Sequence, residues 1–250
     1  MPNMPSKYRA PALDKGLDIL ELLAHTSEPL TMTEVAAEIG HSKGEIFRML
    51  QVLEERGYIA RDSTGGFVIT NRLFLLGMER PPVKTLVEAA LPAMHVLAHQ
   101  VMQTCHLVVV SGAQIVVIAR VESPSDLSFM VRVGHQLPLA HSTSGAVLFA
   151  FQNDEVRGDW LAALDAAKVR YARKAFVKLA DDIRAQGYAT QASGDVDGVT
   201  DLSAPILRQG VAVGALTIPY VERHPAKVAE KVALQHLCAA AANISRELSV

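Results

Sequence analysis

Between residues 13 and 25, apolar positions recur at helical spacing. Leu13, Leu17, Leu20, Leu23 and Ala24 form one stripe, with Asp14, Asp18 and Glu21 off it. This predicts an amphipathic helix, interrupted at Pro29 and Leu30. Thr31 and Glu34 then have the spacing of a capping box, in which hydroxyl and carboxylate satisfy amides at a helix start. Val35, Ala36 and Ile39 give that second helix a buried face, and Gly40 stops it. Ser42 and Glu45 repeat the spacing and open a third helix, whose apolar side is Ile46, Met49, Leu50 and Leu53 and whose stop is Gly57. Two β-prone stretches, 58–61 and 67–70, flank Thr64-Gly65-Gly66 and predict a hairpin. Three short helices, the last two joined by a tight turn, followed by a hairpin, describe a winged helix-turn-helix.

A helix over 72–78 leads to Pro81-Pro82, where proline cannot continue a helix ladder. Beyond it, helical periodicity over 83–101 is followed by strands at 105–110 and 114–121 about Ser111-Gly112, and by a short strand at 129–133. Helices are predicted at 144–151, 154–164 and 173–186, the last ended by Gly187. Strands at 202–207 and 211–218 pair about Gln209-Gly210. A closing helix over 227–248 buries Val228, Val232, Leu234, Leu237, Ala241 and Ile244. Helices flanking hairpin-connected strands give an α+β chain with an antiparallel sheet in its second part. The expected organisation is a disordered tail at 1–10, a winged helix-turn-helix at 11–71, a linker helix at 72–82 and a second domain at 83–250.

Composition changes this picture little. The 250 residues are 50 % hydrophobic and 20 % charged, which suits a folded chain. No signal-like or membrane-spanning apolar run is present, and the two cysteines, Cys105 and Cys238, are too few for a disulfide framework, so the expected location is the cytoplasm. Through Arg80 there are 9 Lys/Arg against 11 Asp/Glu, and from Pro81 onward 15 of each. Any DNA binding must therefore come from local placement of cations, not from overall charge.

Several local motifs sharpen the reading. KGLDILELL, PLTMTEVAAEIG, the Arg48-Met49-Leu50 step and LEERGYI lie in the first part. GHQLPLAHSTSGAVLFAF, IRAQGYA and SAPILRQGVAVGALTI lie in the second. In order and spacing, over about 13–248, they resemble the IclR family of bacterial transcriptional regulators. The resemblance implies a GAF-like effector domain, a homodimer or homotetramer, double-stranded operator DNA and a small-molecule effector as partners, and neither catalysis nor a cofactor. The chain departs from the family pattern at Gly44 and Glu45, at Ala140 and Ala146, and at Pro219.

A recognition helix sets its first turns in the major groove. Ser42, Lys43, Gly44, Phe47 and Arg48 lie on or near the face opposite the apolar stripe. Arg48 suits bidentate contact to guanine and Lys43 neutralises a phosphate. Gly44 costs roughly 1 kcal/mol of helix propensity against alanine, which makes sense where backbone approaches DNA closely. Glu45 has two readings, capping box or acceptor for a cytosine amino group. Thr31 and Arg61 are phosphate contacts or, respectively, a cap and a surface charge.

In the second domain, residues 138–144 lead into a helix at about Gly145. Ser142, Thr143 and Ser144 there either cap the helix or collect an anion through backbone amides. The resemblance implies that this loop, with Gly145, Phe129, Leu137, Gln191, Asp201 and Thr217, surrounds the effector. Apolar walls with a few polar groups suit a small organic acid, aromatic acids included. Asp201 meets a hydroxyl or amine of the ligand, or turns to solvent. His135 and His141 flank the loop. His95, His99, Cys105 and His106 form no established metal pattern, and no nucleophile with a matched base is found, so neither metal nor catalytic residues are assigned. Two alternatives stay open: a small-molecule-binding enzyme, or a dimerisation protein, using the helix-turn-helix only for protein contact.

Overall fold

The first helix, α1 (Pro11–His25), opens on a proline, whose missing N–H is no loss in a first turn. The computed structural model describes residues 10–79, 81–125, 128–194, 196–222 and 228–249, with side chains at 78–84 left aside. Of the expected tail at 1–10, only Ala10 falls among the described residues. The chain divides into two compact units, Met1–Val83 and Lys84–Val250.

The first unit continues with α2 (Met32–Glu38), α3 (Lys43–Glu55), β1 (Ile59–Arg61), β2 (Phe67–Ile69) and α4 (Arg72–Glu79). Its core is Ile19, Leu20, Leu23, Val35, Ala36, Ile46, Leu50, Ile59 and Phe67. Leu13 and Leu17, which the periodicity assigned to the same stripe as Leu20, are instead 61 % and 47 % exposed; Ile19 takes the buried place. β1 and β2 pair antiparallel, and Leu30 exchanges two backbone hydrogen bonds with Phe67 to add a third rung. That rung runs so close that a Cβ on Gly66 would sit 2.7 Å from Pro29 Cβ.

The second unit holds most of α5 (Pro81–Val101), then β3 (Cys105–Ser111), β4 (Gln114–Val121), β5 (Gln136–Pro138), a 3-10 turn at Leu139–His141, α6 (Thr143–Ala150), α7 (Asp154–Ala166), α8 (Arg173–Gln186), β6 (Ala189–Ala192), β7 (Val199–Arg208), β8 (Val211–Val221) and α9 (Glu230–Glu247). Six strands form one antiparallel sheet in the order β5-β4-β3-β8-β7-β6. The β7–β8 hairpin turns on Gln209 and Gly210, both at positive φ, which matches the twist of a two-residue hairpin. Val108, Ile115, Val117 and Ala215 face a core with α6 and α8, while Gly214 and Leu107, alternating with them, face Leu86 of α5. Ser245 of α9 accepts the Leu207 amide at 2.8 Å, tying α9 to β7.

Two further sequence expectations are corrected. Residues 129–133 form no strand; their apolar positions line a cavity instead of joining a ladder. The sheet edges are β5 and β6, too short to show alternation. In α9, Val232 is exposed and Ala233 and Ala240 are buried, because the helix turns its small residues toward the sheet; the expected start at Lys227 lies outside the described residues.

Candidate functional site

In the first unit, α3 turns its polar face outward. Ile46 and Leu50 anchor α3 in the core, which leaves Ser42, Lys43, Gly44, Phe47 and Arg48 on the outside. Phe47 is 50 % exposed, an uncommon position for a large aromatic side chain. Among the described residues, neither Lys43 nor Arg48 has an ion-pair or hydrogen-bond partner. Both cations are therefore available to an external anion.

Glu45 is not. Its Oε2 accepts the Ser42 amide at 2.9 Å and the Ser42 hydroxyl at 2.8 Å, and its Oε1 lies 2.8 Å from Lys15 Nζ. Lys15 and the Ser42 donors hold its carboxyl well below the usual range, down to about 2. At α2, Thr31 Oγ1 caps by accepting the Glu34 amide at 3.4 Å, while the Thr31 amide and hydroxyl donate to Glu34 Oε2 at 2.7 and 2.8 Å, and Thr31 remains exposed. Arg61 is committed to the wing: it reaches Glu54 Oε1 at 3.2 Å and the Gly65 carbonyl at 3.2 Å, and stacks over Phe67 at 4.3 Å. Asp62 closes the wing turn by accepting from Thr64 and Gly66.

The second unit contains a cavity of about 510 Å³. Of the residues singled out by sequence, Phe129, Leu137, Ser142, Thr143, Ser144, Asp201 and Thr217 line it. Gln191 lines a neighbouring hollow of about 600 Å³, which shares Leu137, Ser142, Thr143 and Asp201 as a wall. Gly145 lines neither. Its amide donates to the capping Ser142 Oγ at 3.0 Å, and a Cβ there would lie 2.0 Å from the Leu139 carbonyl oxygen. Gly145 is thus a packing requirement of the α6 start.

The polar end of the cavity is built where α6 meets the sheet. Thr143 Oγ1 stands 3.3 Å from Gln191 Oε1 and 3.4 Å from Asp201 Oδ2, and a single hydroxyl proton serves one of them at a time. Gln191 and Asp201 are cross-strand partners on β6 and β7. At the head of an α-helix the first amides lack intrahelical acceptors, so the Thr143 and Ser144 N–H groups add donors there. His141 is held by the Arg170 carbonyl at 2.8 Å and faces the outer hollow, whereas His135 lines the main cavity.

Sequence reasoning missed His106 as a cavity residue, along with Arg132, Ile115, Val117 and Pro219. His106 had been weighed only as a metal ligand beside Cys105; among the described residues no group of three or more metal-type ligands exists. Alternation along β3 places His106 and Val108 on the α6 face of the sheet, a signal readable only once the strand register is known.

Comparison with known proteins agrees with this division. Residues 12–63 match the IclR helix-turn-helix domain, and residues 83–246 match the bacterial transcriptional regulator IclR C-terminal domain. The chain is 27 % identical over 234 residues to the transcriptional regulator KdgR of Escherichia coli, covering 90 % of this chain and 88 % of that protein. It is 29 % identical over 247 residues to the glycerol operon regulatory protein of Streptomyces griseus, covering 95 % and 96 %. Among solved structures, an IclR homologue from Microbacterium hydrocarbonoxydans complexed with 4-hydroxybenzoate shares the fold, with a TM-score of 0.78 at 21 % identity over 95 % of this chain and 98 % of that one.

Proposed function

Because the chain belongs to the IclR family of bacterial transcriptional regulators, we infer that α3 reads operator DNA through Lys43, Phe47 and Arg48 and that the cavity at the α6 start takes a small organic acid. It is a DNA-binding regulator with an effector domain. Its work is regulatory rather than catalytic, as for the relatives it resembles.

One observation carries the DNA reading: both cations on the exposed side of α3 are without counterions while the neighbouring carboxylate is fully occupied. Arg48 reaches a guanine edge, Phe47 meets a thymine methyl, and Lys43 and the Thr31 helix start hold phosphates. Ser42 and Gly44 let the helix start approach the groove. Glu45 orients the helix and Arg61 stiffens the wing, rather than touching bases.

The effector reading rests on the cavity's chemistry. Ser142, Thr143 and Ser144 at the head of α6 collect a carboxylate, and Phe129 and Leu137 contribute apolar wall. The 4-hydroxybenzoate carried by the structural neighbour fits this class in size and charge. Regulators that read paired half-sites are two-fold assemblies. Leu13 and Leu17 of α1 and Leu73, Phe74, Leu75 and Leu76 of α4 are exposed apolar residues suited to the homodimer contact. A cytoplasmic location follows from that role, and among the described residues no helix is long and apolar enough to cross a membrane.

The test is footprinting on the DNA upstream of the protein's own gene across a salt series, with and without 4-hydroxybenzoate. Protection of a two-fold site that weakens steeply with salt and changes with the acid is the expected result. Absence of any protected site at low salt overturns the DNA reading.

A further inference from the structure

One buried polar residue of the cavity is left unsatisfied. His106 is 6 % exposed, lines the cavity, and its Nδ1 is buried without a hydrogen-bond partner among the described residues. Cross-strand registers put His106 beside Thr217, and Thr217 beside Ser203, on one face of β3, β8 and β7. That row ends in a closed pair, because the Ser203 and Thr217 hydroxyls bond each other at 2.9 Å. Thr217 is thereby engaged, and the imidazole next to it is left over. Buried polar groups almost always have partners, so an orphan on a ring that lines a cavity points to a missing one.

We propose that His106 is the residue that recognises a hydroxyl group on the effector, so that the regulator answers to hydroxy-carboxylates rather than to simple carboxylates. The inference rests on the reading of the cavity as an effector site for organic acids, and adds which acids. A neutral imidazole presents one N–H and one lone pair, and a hydroxyl can accept from the first or donate to the second in either tautomer. Burial, reinforced by the neighbouring His135, pushes the imidazole down to about 4, so it is uncharged at neutral pH. An uncharged ring offers nothing to offset a second anionic group, and Asp201 already brings a carboxylate to the same cavity. The carboxylate end of the ligand belongs at the α6 head, with Ser142, Thr143 and Ser144. Across the sheet, His106 lies two strand spacings, roughly 10 Å, from the β7 strand that carries Asp201. The stretch between is floored by Thr217 and Pro219 of β8, with Ile115, Val117 and Leu137 walling the cavity on the far side of β3, and it leaves length for a ring or short chain separating acid from hydroxyl. A site built to hydrogen-bond a ligand hydroxyl rejects the analogue lacking it strongly, because its own polar group then stays unpaired.

The experiment is calorimetric titration of the full chain with two matched pairs, 4-hydroxybenzoate against benzoate and 4-hydroxybutyrate against butyrate. The hydroxylated member of at least one pair is expected to bind 10-fold or more tightly than its partner. In His106→Leu that preference collapses to within 2-fold, and in His106→Gln, which retains a donor and an acceptor, part of it returns. Thermal midpoints and operator binding without ligand accompany each variant to show that it folds. Equal binding of both members by the unaltered protein overturns the His106 assignment alone. A preference that survives His106→Leu does the same. Binding of no acid in either pair, with operator binding intact, overturns the organic-acid reading and this inference with it. Should His106→Leu fail to fold, the matched pairs on the unaltered chain and His106→Gln still decide.

Discussion

Lys15 of α1 spans to Glu45 in the first turn of α3, with 2.8 Å between Nζ and Oε1, while the other carboxylate oxygen accepts from Ser42. The one acid within the exposed first turn of the recognition helix is thereby turned into a strut. Glu45→Ala is expected to lower the thermal midpoint of the first unit without altering base preference at any operator position. Calorimetric melting and binding to a set of operator variants check this. A shift of preference at a cytosine would restore the base-acceptor role for Glu45.

With that acid occupied, Lys43 and Arg48 carry the outward positive charge of the helix start. Their tasks differ, and so should their deletions. Lys43→Ala is expected to weaken binding uniformly across sequences and to reduce the salt slope by about 1, as for one phosphate contact. Arg48→Ala is expected to cost about 1–3 kcal/mol at one base pair and to relax specificity there. Both side chains are exposed and unpartnered, so neither change should move the melting midpoint. Salt-series titrations on cognate and mismatched operators separate the two outcomes.

Much of this surface was legible in the chain because local chemistry specifies it. The capping boxes at Thr31 and Ser42, the stops at Gly40, Gly57 and Gly187, and the Gln209-Gly210 turn each act within a few residues, and each stands where its spacing placed it. What failed was non-local. Leu13 and Leu17 share the period of Leu20, and periodicity cannot tell a core position from an exposed apolar one. Residues 129–133 are rich in β-prone apolar residues, yet Phe129, Met130 and Val131 line a cavity and join no strand. His106 gained meaning only through the β3–β8 register, which no neighbour in sequence announces. Gly145 was grouped with the ligand residues because it adjoins them, although its reason is the carbonyl of Leu139.

Two glycines at helix starts should therefore respond oppositely to alanine. At Gly145 the added Cβ meets the Leu139 carbonyl oxygen at 2.0 Å, and backbone cannot give way cheaply. Gly145→Ala is expected to destabilise the second unit by at least about 1–3 kcal/mol, the usual cost of overpacking. At Gly44 nothing lies within 4 Å of the new Cβ, so Gly44→Ala should stabilise the first unit by up to about 1 kcal/mol through helix propensity. If backbone approaches DNA at Gly44, the same variant loses operator affinity. Urea midpoints and operator titrations on both variants give the comparison; unchanged stability of Gly145→Ala would refute the packing role.

The exposed apolar residues of α1 and α4 predict the assembly. Leu17 is 47 % exposed and Phe74 is 57 % exposed, so charged replacements should spare the fold of the chain. Leu17→Glu with Phe74→Glu is expected to shift sedimentation toward monomer and to abolish binding to a two-half-site operator while leaving the circular dichroism spectrum intact. An unchanged assembly would move the interface elsewhere.

His106 also makes stability depend on pH in a stated direction. Its ordinary value is 6.5, and burial, with His135 nearby, lowers it to about 4 in the folded chain. The unfolded chain therefore takes up a proton at a higher pH than the folded one. Its contribution is fully present above about 6.5 and is lost as pH falls toward 4, with a slope approaching about 1.4 kcal/mol per pH unit inside that window. Other groups titrate too: the carboxyls of Glu34, Glu45 and Asp62 are lowered by hydrogen bonds, but all three lie in the first unit. The difference between the unaltered protein and His106→Gln isolates the histidine. Urea unfolding of the second unit at pH 7.5 and pH 5 should show the unaltered protein losing more stability on acidification than the variant. Parallel losses in both would mean that His106 is not held neutral by its burial, and the orphaned ring would then need a different explanation.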